Sequence, residues 1–488
     1  MTMTNFEYLL LFFLFALTVF LAVIIAKYIR YKHLLRLTKI NILRRQQKKE
    51  VSFYADVVLV KVFRKIYFSF SKEAKKALRE MVFGRTQSAQ IFLNKKDEVL
   101  SLFLKAHTDI KSAYSELKKN KKLWKNNSFY KILYMMMAEK FFDYEQIKSL
   151  LKNLKPNRLK GLKKAYYNMI SSFMYVKDAD MLSASANASA GLKFFQKHDM
   201  PVEEAETYLK LGEIYRISCV NDVAQTMLES ALKIYQKFSL KNMKARVLAV
   251  LGMLMVFENR LEEAEDKFEQ ALKENDLEQI KAEILNQYAL LKIAQKDNKK
   301  SLKFAKEAFE IHQDKKNPRG MALSLQIMAH LYYYENRPKK AVDCAENAVE
   351  LYFKQKNYPA VCESLYLQAT VLYKQKKYKK AEEILRKILE IYEKYGGNFH
   401  HANAYSLLGL IYLKENDLQR AKVLIQQSLH LEQRNDRFSG IAADYANLAL
   451  IENLRGDENS AKANIKTALE YALKTEDDDL INLIKKSI

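Results

Sequence analysis

Leu211-Gly212-Glu213-Ile214-Tyr215 is followed, twelve positions after Gly212, by Ala224, and then by Leu228 and Ala231. The apolar residues fall three and four apart, which places them on one helical face in each half of the segment. Small side chains at Gly212 and Ala224 let two antiparallel helices approach closely. Working outward, the pattern recurs at Ser172, Gly252, Ala289, Ala329, Ala369, Gly409 and Ala449. The small partners twelve positions on are Ala184, Ala264, Ser301, Ala341, Ala381, Ala421 and Ala461. The anchors advance in steps of forty, broken once by a step of thirty-seven from Gly252 to Ala289. Short polar runs such as Glu258-Asn259-Arg260, Glu335-Asn336-Arg337 and Glu415-Asn416-Asp417 read as the turns. Self-similarity at such a period predicts a stacked helical array and a binding surface rather than a catalytic pocket.

The run Leu211-Gly212-x-x-Tyr215, with Ala224, Leu228 and Ala231, resembles the tetratricopeptide repeat. Eight copies in phase cover residues 161–475. The usual period is about 34, so a period of forty implies longer helices or longer connections. The family's Trp at the start of the first helix is missing, as is most of its closing Pro. The expected fold is all-α: an N-terminal transmembrane helix followed by an α-solenoid of tetratricopeptide-like helical hairpins. Residues 6–28 form the anchor, 29–160 a basic juxtamembrane helical region with degenerate repeats, and 476–488 a capping helix.

The membrane expectation rests on the run from Tyr8 to Ala26, which holds no charged residue. At about 1.5 Å per residue it spans roughly 28 Å, close to the thickness of a hydrocarbon core. No Lys or Arg precedes this run, and its length favours a retained anchor over a cleaved signal. Nine basic residues and no acid follow in residues 27–49: Lys27, Arg30, Lys32, Arg36, Lys39, Arg44, Arg45, Lys48 and Lys49. The positive-inside rule puts that side, and the array with it, in the cytoplasm of a bacterial inner membrane, next to anionic head groups. A periplasmic array is the alternative, because a long translocated domain overrides charge. The net charge of +25 belongs to this end, since residues 201–488 hold 44 Lys+Arg against 42 Asp+Glu.

Val57 to Phe70 reads as a helix near the membrane or a short strand, and 72–82 and 88–106 as helices. Residues 129–154 read as a helical pair, with Tyr130, Leu133, Met136 and Met137 in one helix and Ile147, Leu150, Leu151 and Leu154 in the other. Lys118, Lys119, Lys121, Lys122 and Lys125 surround Trp124, the single tryptophan. That cluster suits a solvated turn, a lipid-facing segment or a single-strand nucleic-acid contact, the last being the weakest of the three. Cys219, Cys344 and Cys362 have no metal-ligand spacing and read as buried thiols of a reducing compartment. His400-His401 and Asp477-Asp478-Asp479 read as loop and helix start rather than metal sites. No cofactor, small-molecule substrate or catalytic cluster is expected, and the chain is read as a non-enzyme.

The resemblance also implies which residues line a concave groove. They are Arg246, Ala249, Met253 and Val256; Glu283, Asn286, Leu290 and Ile293; Leu323, Gln326, His330 and Tyr333; and Glu363, Tyr366, Thr370 and Tyr373. Such a face takes an extended or helical protein segment in side-chain pockets, unless several of these residues pack within the array. The Lys and Asn set of a chaperone-binding clamp is absent from the matching positions. The leading expectation is a single-pass membrane scaffold or adaptor that recruits protein partners. The alternatives are a regulatory adaptor of envelope or cofactor biosynthesis and a periplasmic assembly factor. Membrane-anchored repeat proteins of lipopolysaccharide assembly and of haem synthesis have a similar layout. The first kind ends in a four-cysteine metal knob and the second usually has two membrane segments; this chain has three cysteines and one apolar run.

Overall fold

In the computed structural model, the structure describes residues 110–119, 124–125, 128–140, 144–177, 180–395, 401–434, 437–475 and 478–485. The apolar run, its basic flank and the helices expected in 50–106 lie outside the described residues. Among the described residues no helix is long and apolar enough to cross a membrane. Three helices come first: α1 (Ile110–Lys119), α2 (Ser128–Lys140) and α3 (Tyr144–Lys152). In α2 and α3 Met136, Met137, Ile147 and Leu150 are buried, whereas Leu151 is half-buried.

Eight hairpins follow, each of two helices, A and B. They are α4 (Leu162–Lys177) with α5 (Met181–Lys197), α6 (Pro201–Ile217) with α7 (Asn221–Lys237), and α8 (Lys241–Phe257) with α9 (Leu261–Glu274). Then come α10 (Glu278–Ala294) with α11 (Asn298–Asp314), α12 (Pro318–Tyr334) with α13 (Pro338–Lys354), and α14 (Tyr358–Lys374) with α15 (Tyr378–Tyr395). The last two are α16 (His401–Lys414) with α17 (Leu418–Arg434) and α18 (Phe438–Leu454) with α19 (Glu458–Leu473), followed by α20 (Asp478–Lys485). The chain divides into two compact units, one running to Lys281 and the other Ala282–Ile488.

Long helices, not long connections, account for the extended period. Most helices have 17 residues and are joined by three-residue turns. Most of these turns are closed by one non-glycine residue at positive φ: Asp199, Cys219, Ser239 and Asn259, then Lys296, Lys316, Asn336, Lys356, Lys376 and Asn416. At the second of them the Val220 N–H donates to the Tyr215 carbonyl at 2.9 Å, satisfying one of the carbonyls the helix end leaves open. The one short interval between anchors is explained by α9, which has 14 residues and ends at an extended Asn275 instead of a left-handed one. Asn242 in α8 holds that exit, its side-chain oxygen accepting from the Asp276 N–H at 2.8 Å.

A non-glycine residue at positive φ is strained by roughly 1 kcal/mol. Cys219 sits at φ 57° and is exposed. Cys219→Gly is therefore expected to stabilise its hairpin by about 0.5–1 kcal/mol, after the extra flexibility of unfolded Gly is subtracted. A rise in hydrogen-exchange protection of α6 and α7 would show it; a loss would contradict it. The exposure of Cys219 also corrects the expectation that all three thiols are buried. Cys362 is buried and Cys344 half-buried, and burial pushes their thiols up to about 12 and about 11.

The small anchors are buried against their B helices. A Cβ on Gly212 would meet Leu228 at 2.6 Å, one on Gly252 would meet Phe268 at 3.0 Å, and one on Gly409 would meet Ile425 at 2.6 Å. The B-helix residue facing the anchor is thus large where the anchor is Gly. It is small (Ala188, Ala305, Ala345) at the matching place after Ser172, Ala289 and Ala329. Ala369 with Leu385 and Ala449 with Ile465 depart from this exchange of volume. Interiors packed to crystal-like density require such complementarity.

Candidate partner-binding face

In the first unit Arg246 is exposed on α8, and Met253 and Val256 are half-buried on the same helix. Ala249 is buried. The Arg216 guanidinium lies 5.1 Å from the Phe257 ring centroid, and burial holds it below its ordinary value. Lys210 on α6 pairs with Glu139 on α2.

The second unit carries a half-buried stripe on its A helices. Leu290 and Ile293 on α10, Tyr333 on α12, Tyr366 and Tyr373 on α14 and Leu410 on α16 all rest on the core with one side in contact and the other open. The Lys374 ammonium stands 4.1 Å from the Tyr333 ring centroid, and the Tyr373 and Tyr378 rings lie 5.6 Å apart. His330 lies in the same stripe, and burial holds its imidazole below the ordinary value. The half-buried Thr370 donates its hydroxyl back to the Tyr366 carbonyl at 2.9 Å. Such a face offers rings and aliphatic side chains with few fixed charges, the composition of a protein-interface centre.

Two expected groove residues are not on that surface. Asn286 is buried and accepts from the Ser324 hydroxyl at 2.8 Å, tying α10 to α12. Gln326 is buried too, and its oxygen accepts from the Tyr352 hydroxyl at 2.9 Å. The Gln326 side chain also bonds Glu363, whose carboxyl burial raises above its usual range. These amides hold repeats together. Leu323 is exposed, and Glu283 is half-buried.

Two buried polar clusters went unread in the sequence. Both involve one B-helix position, near the end of the helix, where Tyr235, Tyr352 and Tyr392 fill the space against the next A helix. His312 takes this place on α11, fully buried, with Asn317 Nδ2 donating to its Nδ1 at 3.1 Å. Burial lowers its imidazole to about 4. Glu432 takes it on α17, buried beside Asp444 of α18, whose carboxyl burial raises to about 7. The Ser406 hydroxyl donates to Asp444 at 2.8 Å, and the Arg437 Nε lies 3.3 Å from a Glu432 oxygen. Gly320 and Gly440 make room for these two side chains. The one readable signal was the coincidence of an ionisable residue at that position with a Gly at the start of the following A helix.

Other expected chemistry resolves into packing. Trp124 donates its indole N–H to the Leu117 carbonyl at 2.9 Å and lies 5.6 Å from the Tyr134 ring, so it is a core contact. Lys121 and Lys122 lie outside the described residues, as do His400 and Asp477. His401 stacks on Tyr392 at 5.0 Å. A shallow depression of about 450 Å³ on α16 and α17 holds His401, Tyr405 and His430 without converging carboxylates or thiols. Among the described residues no group of three or more His, Cys, Asp or Glu is placed to hold a metal.

Helical hairpins that pack in succession define a repeat array. The tetratricopeptide repeat model matches residues 203–273 and 361–431, and the array as a whole is an all-α solenoid of tetratricopeptide-like repeats. No curated protein matches the chain. Among solved structures it resembles a Rap protein complexed with competence and sporulation factor, at 12% identity over 88% of this chain and 99% of that one, with a TM-score of 0.45. It also resembles a signal-transduction ATPase with a tetratricopeptide repeat sensor from Pyrococcus horikoshii, at 13% identity over 88% and 74%, TM-score 0.45. BtubC from P. vanneervenii is similar at 20% identity over 44% and 90%, TM-score 0.38.

Proposed function

We propose that this chain is a single-pass membrane-anchored scaffold whose repeat array recruits a protein partner to the cytoplasmic face of the membrane. The observation that carries the recruitment reading is the half-buried stripe of Leu290, Ile293, His330, Tyr333, Tyr366 and Tyr373 on successive A helices. Apolar and aromatic side chains left partly open on a rigid array are placed to receive a peptide or helical segment. The anchor reading is supported by the uncharged run Tyr8 to Ala26 and the nine basic residues after it.

Each half of the proposal has its own test. Tyr333→Ala/Tyr373→Ala is expected to abolish capture of the partner by the full chain, because the anchoring rings of an interface each contribute about 2 kcal/mol or more. Capture that survives the double change would remove the stripe from the account. For topology, a C-terminal alkaline phosphatase fusion is expected to be inactive, and an active one would place the array on the other side.

A further inference from the structure

The near-neutral balance of the array conceals a separation of charge. Three turns of the second unit read Lys296-Asp297-Asn298-Lys299-Lys300, Asn336-Arg337-Pro338-Lys339-Lys340 and Lys376-Lys377-Tyr378-Lys379-Lys380, ten basic residues against one acid. Each is the A-to-B turn of its hairpin and runs into the first turn of α11, α13 or α15. These helices begin at Asn298, Pro338 and Tyr378, one repeat apart, in successive hairpins whose A helices are joined by the Asn286–Ser324 bond between α10 and α12 and by packing of α12 on α14. The lysine pairs 299/300, 339/340 and 379/380 therefore line one edge.

Helix stability does not explain this charge. The first turn of a helix is its positive end, where acids stabilise and bases do the reverse. α9 and α19 follow that rule with Glu262, Glu263 and Glu458, whereas α11, α13 and α15 have no acid there. Little of the charge is neutralised locally. Lys300 lies 3.5 Å from Asp297, Arg337 lies 3.3 Å from Glu335, and Lys340 stands over the Tyr332 ring at 5.6 Å. Among the described residues the remaining seven make no ion pair, and all ten are exposed. Tyr334, 60% exposed, ends α12 beside the middle turn.

We propose that this edge docks on a bilayer surface rich in anionic phospholipid head groups. Nine of the ten residues are Lys, which protein interfaces deplete in favour of Arg, whereas polybasic lysine is what an anionic leaflet attracts. An exposed Tyr among them has the amphipathic ring found at membrane–water interfaces. A single-strand nucleic-acid site would need a row of stacking rings along a groove; these lysines stand on turn tips with one open ring. The inference deepens the membrane reading above and rests on it, because the tether is what brings the edge to a bilayer.

The test uses the full chain reconstituted in vesicles of phosphatidylcholine alone or mixed with phosphatidylglycerol. Lysine reactivity towards a water-soluble amine reagent is read by mass spectrometry. Lys299, Lys300, Lys339, Lys340, Lys379 and Lys380 are expected to become several-fold less reactive in the anionic vesicles and to recover in high salt, while Lys354 and Lys462 do not change. In the Lys339→Glu/Lys340→Glu/Lys379→Glu/Lys380→Glu variant, whose new acids suit the helix ends, Lys299 and Lys300 are expected to lose their protection. Equal reactivity in both vesicle types, with the chain still held in the vesicle fraction, overturns the lipid edge and leaves the tether standing. A chain that leaves neutral vesicles overturns the tether, and added anionic vesicles then score the edge alone. Stronger protection by a single-stranded oligonucleotide than by anionic vesicles also overturns the proposal.

Discussion

Asp444→Asn is expected to stabilise the last two hairpins by about 2–4 kcal/mol near pH 8 and to leave them unchanged near pH 4. Asp444 is 1% exposed, one of its oxygens accepts from Ser406, and the Glu432 carboxylate beside it lies 3.3 Å from Arg437 Nε. Burial raises the carboxyl to about 7 from 3.8, with the nearby Glu432 charge adding to the rise and the Ser428 and Ser406 hydroxyls opposing it. A carboxyl raised in the folded state contributes stability that is complete below about 3.8 and is lost as pH climbs through about 7. The wild-type hairpins should therefore tighten on acidification, opposite to the usual acid behaviour of paired carboxylates. Asn keeps an acceptor for Ser406 and removes the charge, so the slope should flatten. Hydrogen exchange of α17 and α18 between those limits, corrected for intrinsic rates, measures it. A variant with an unchanged slope would show that Asp444 is already charged at low cost.

Gly320→Ala is expected to destabilise the fourth and fifth hairpins by about 2 kcal/mol, the net of overpacking at about 3 kcal/mol and a helix-propensity gain of roughly 1 kcal/mol. A Cβ there would lie 2.3 Å from two atoms of the His312 ring and 2.4 Å from a third. The ring is fully buried and held by Asn317, so it has nowhere to move. His312→Ala in the same background should recover part of the loss, a coupling visible in a double-mutant cycle. The same ring makes these hairpins acid-sensitive. An imidazole lowered from 6.5 to about 4 contributes stability that is present above about 6.5 and lost as pH falls towards 4. The double variant should lose that sensitivity. Additive effects would mean the two residues do not share the space assigned to them.

The helical array was legible because its signal repeats. Eight small anchors in phase state the hairpin, and the volume exchange of Gly212 with Leu228 and Gly252 with Phe268 reinforces it. The short interval before Ala289 could be located but not interpreted, because only the structure shows α9 ending early at Asn275. Spacing gives a residue's direction to within part of a turn. That tolerance is why Asn286 and Gln326, one helical step from open positions, were read as groove residues although their side chains bond Ser324 and Glu363 of the following repeat. His312 and Asp444 were missed for a different reason. Each is legible only once its facing partner on the next hairpin is known. The lysine edge was hidden by averaging, since a segment balanced in total can still be polarised between its turns and its helix faces.

The central claim, that the A-helix stripe of the second unit receives a protein, is tested most directly by site-specific photo-crosslinking in the full chain. A crosslinking residue at His330 or Tyr373, on the stripe, is compared with one at Lys387, exposed on α15. The account predicts one discrete protein adduct from both stripe positions, lost with Tyr333→Ala, and none from Lys387. Adducts from Lys387 alone, or an identical set from all three positions, would contradict it.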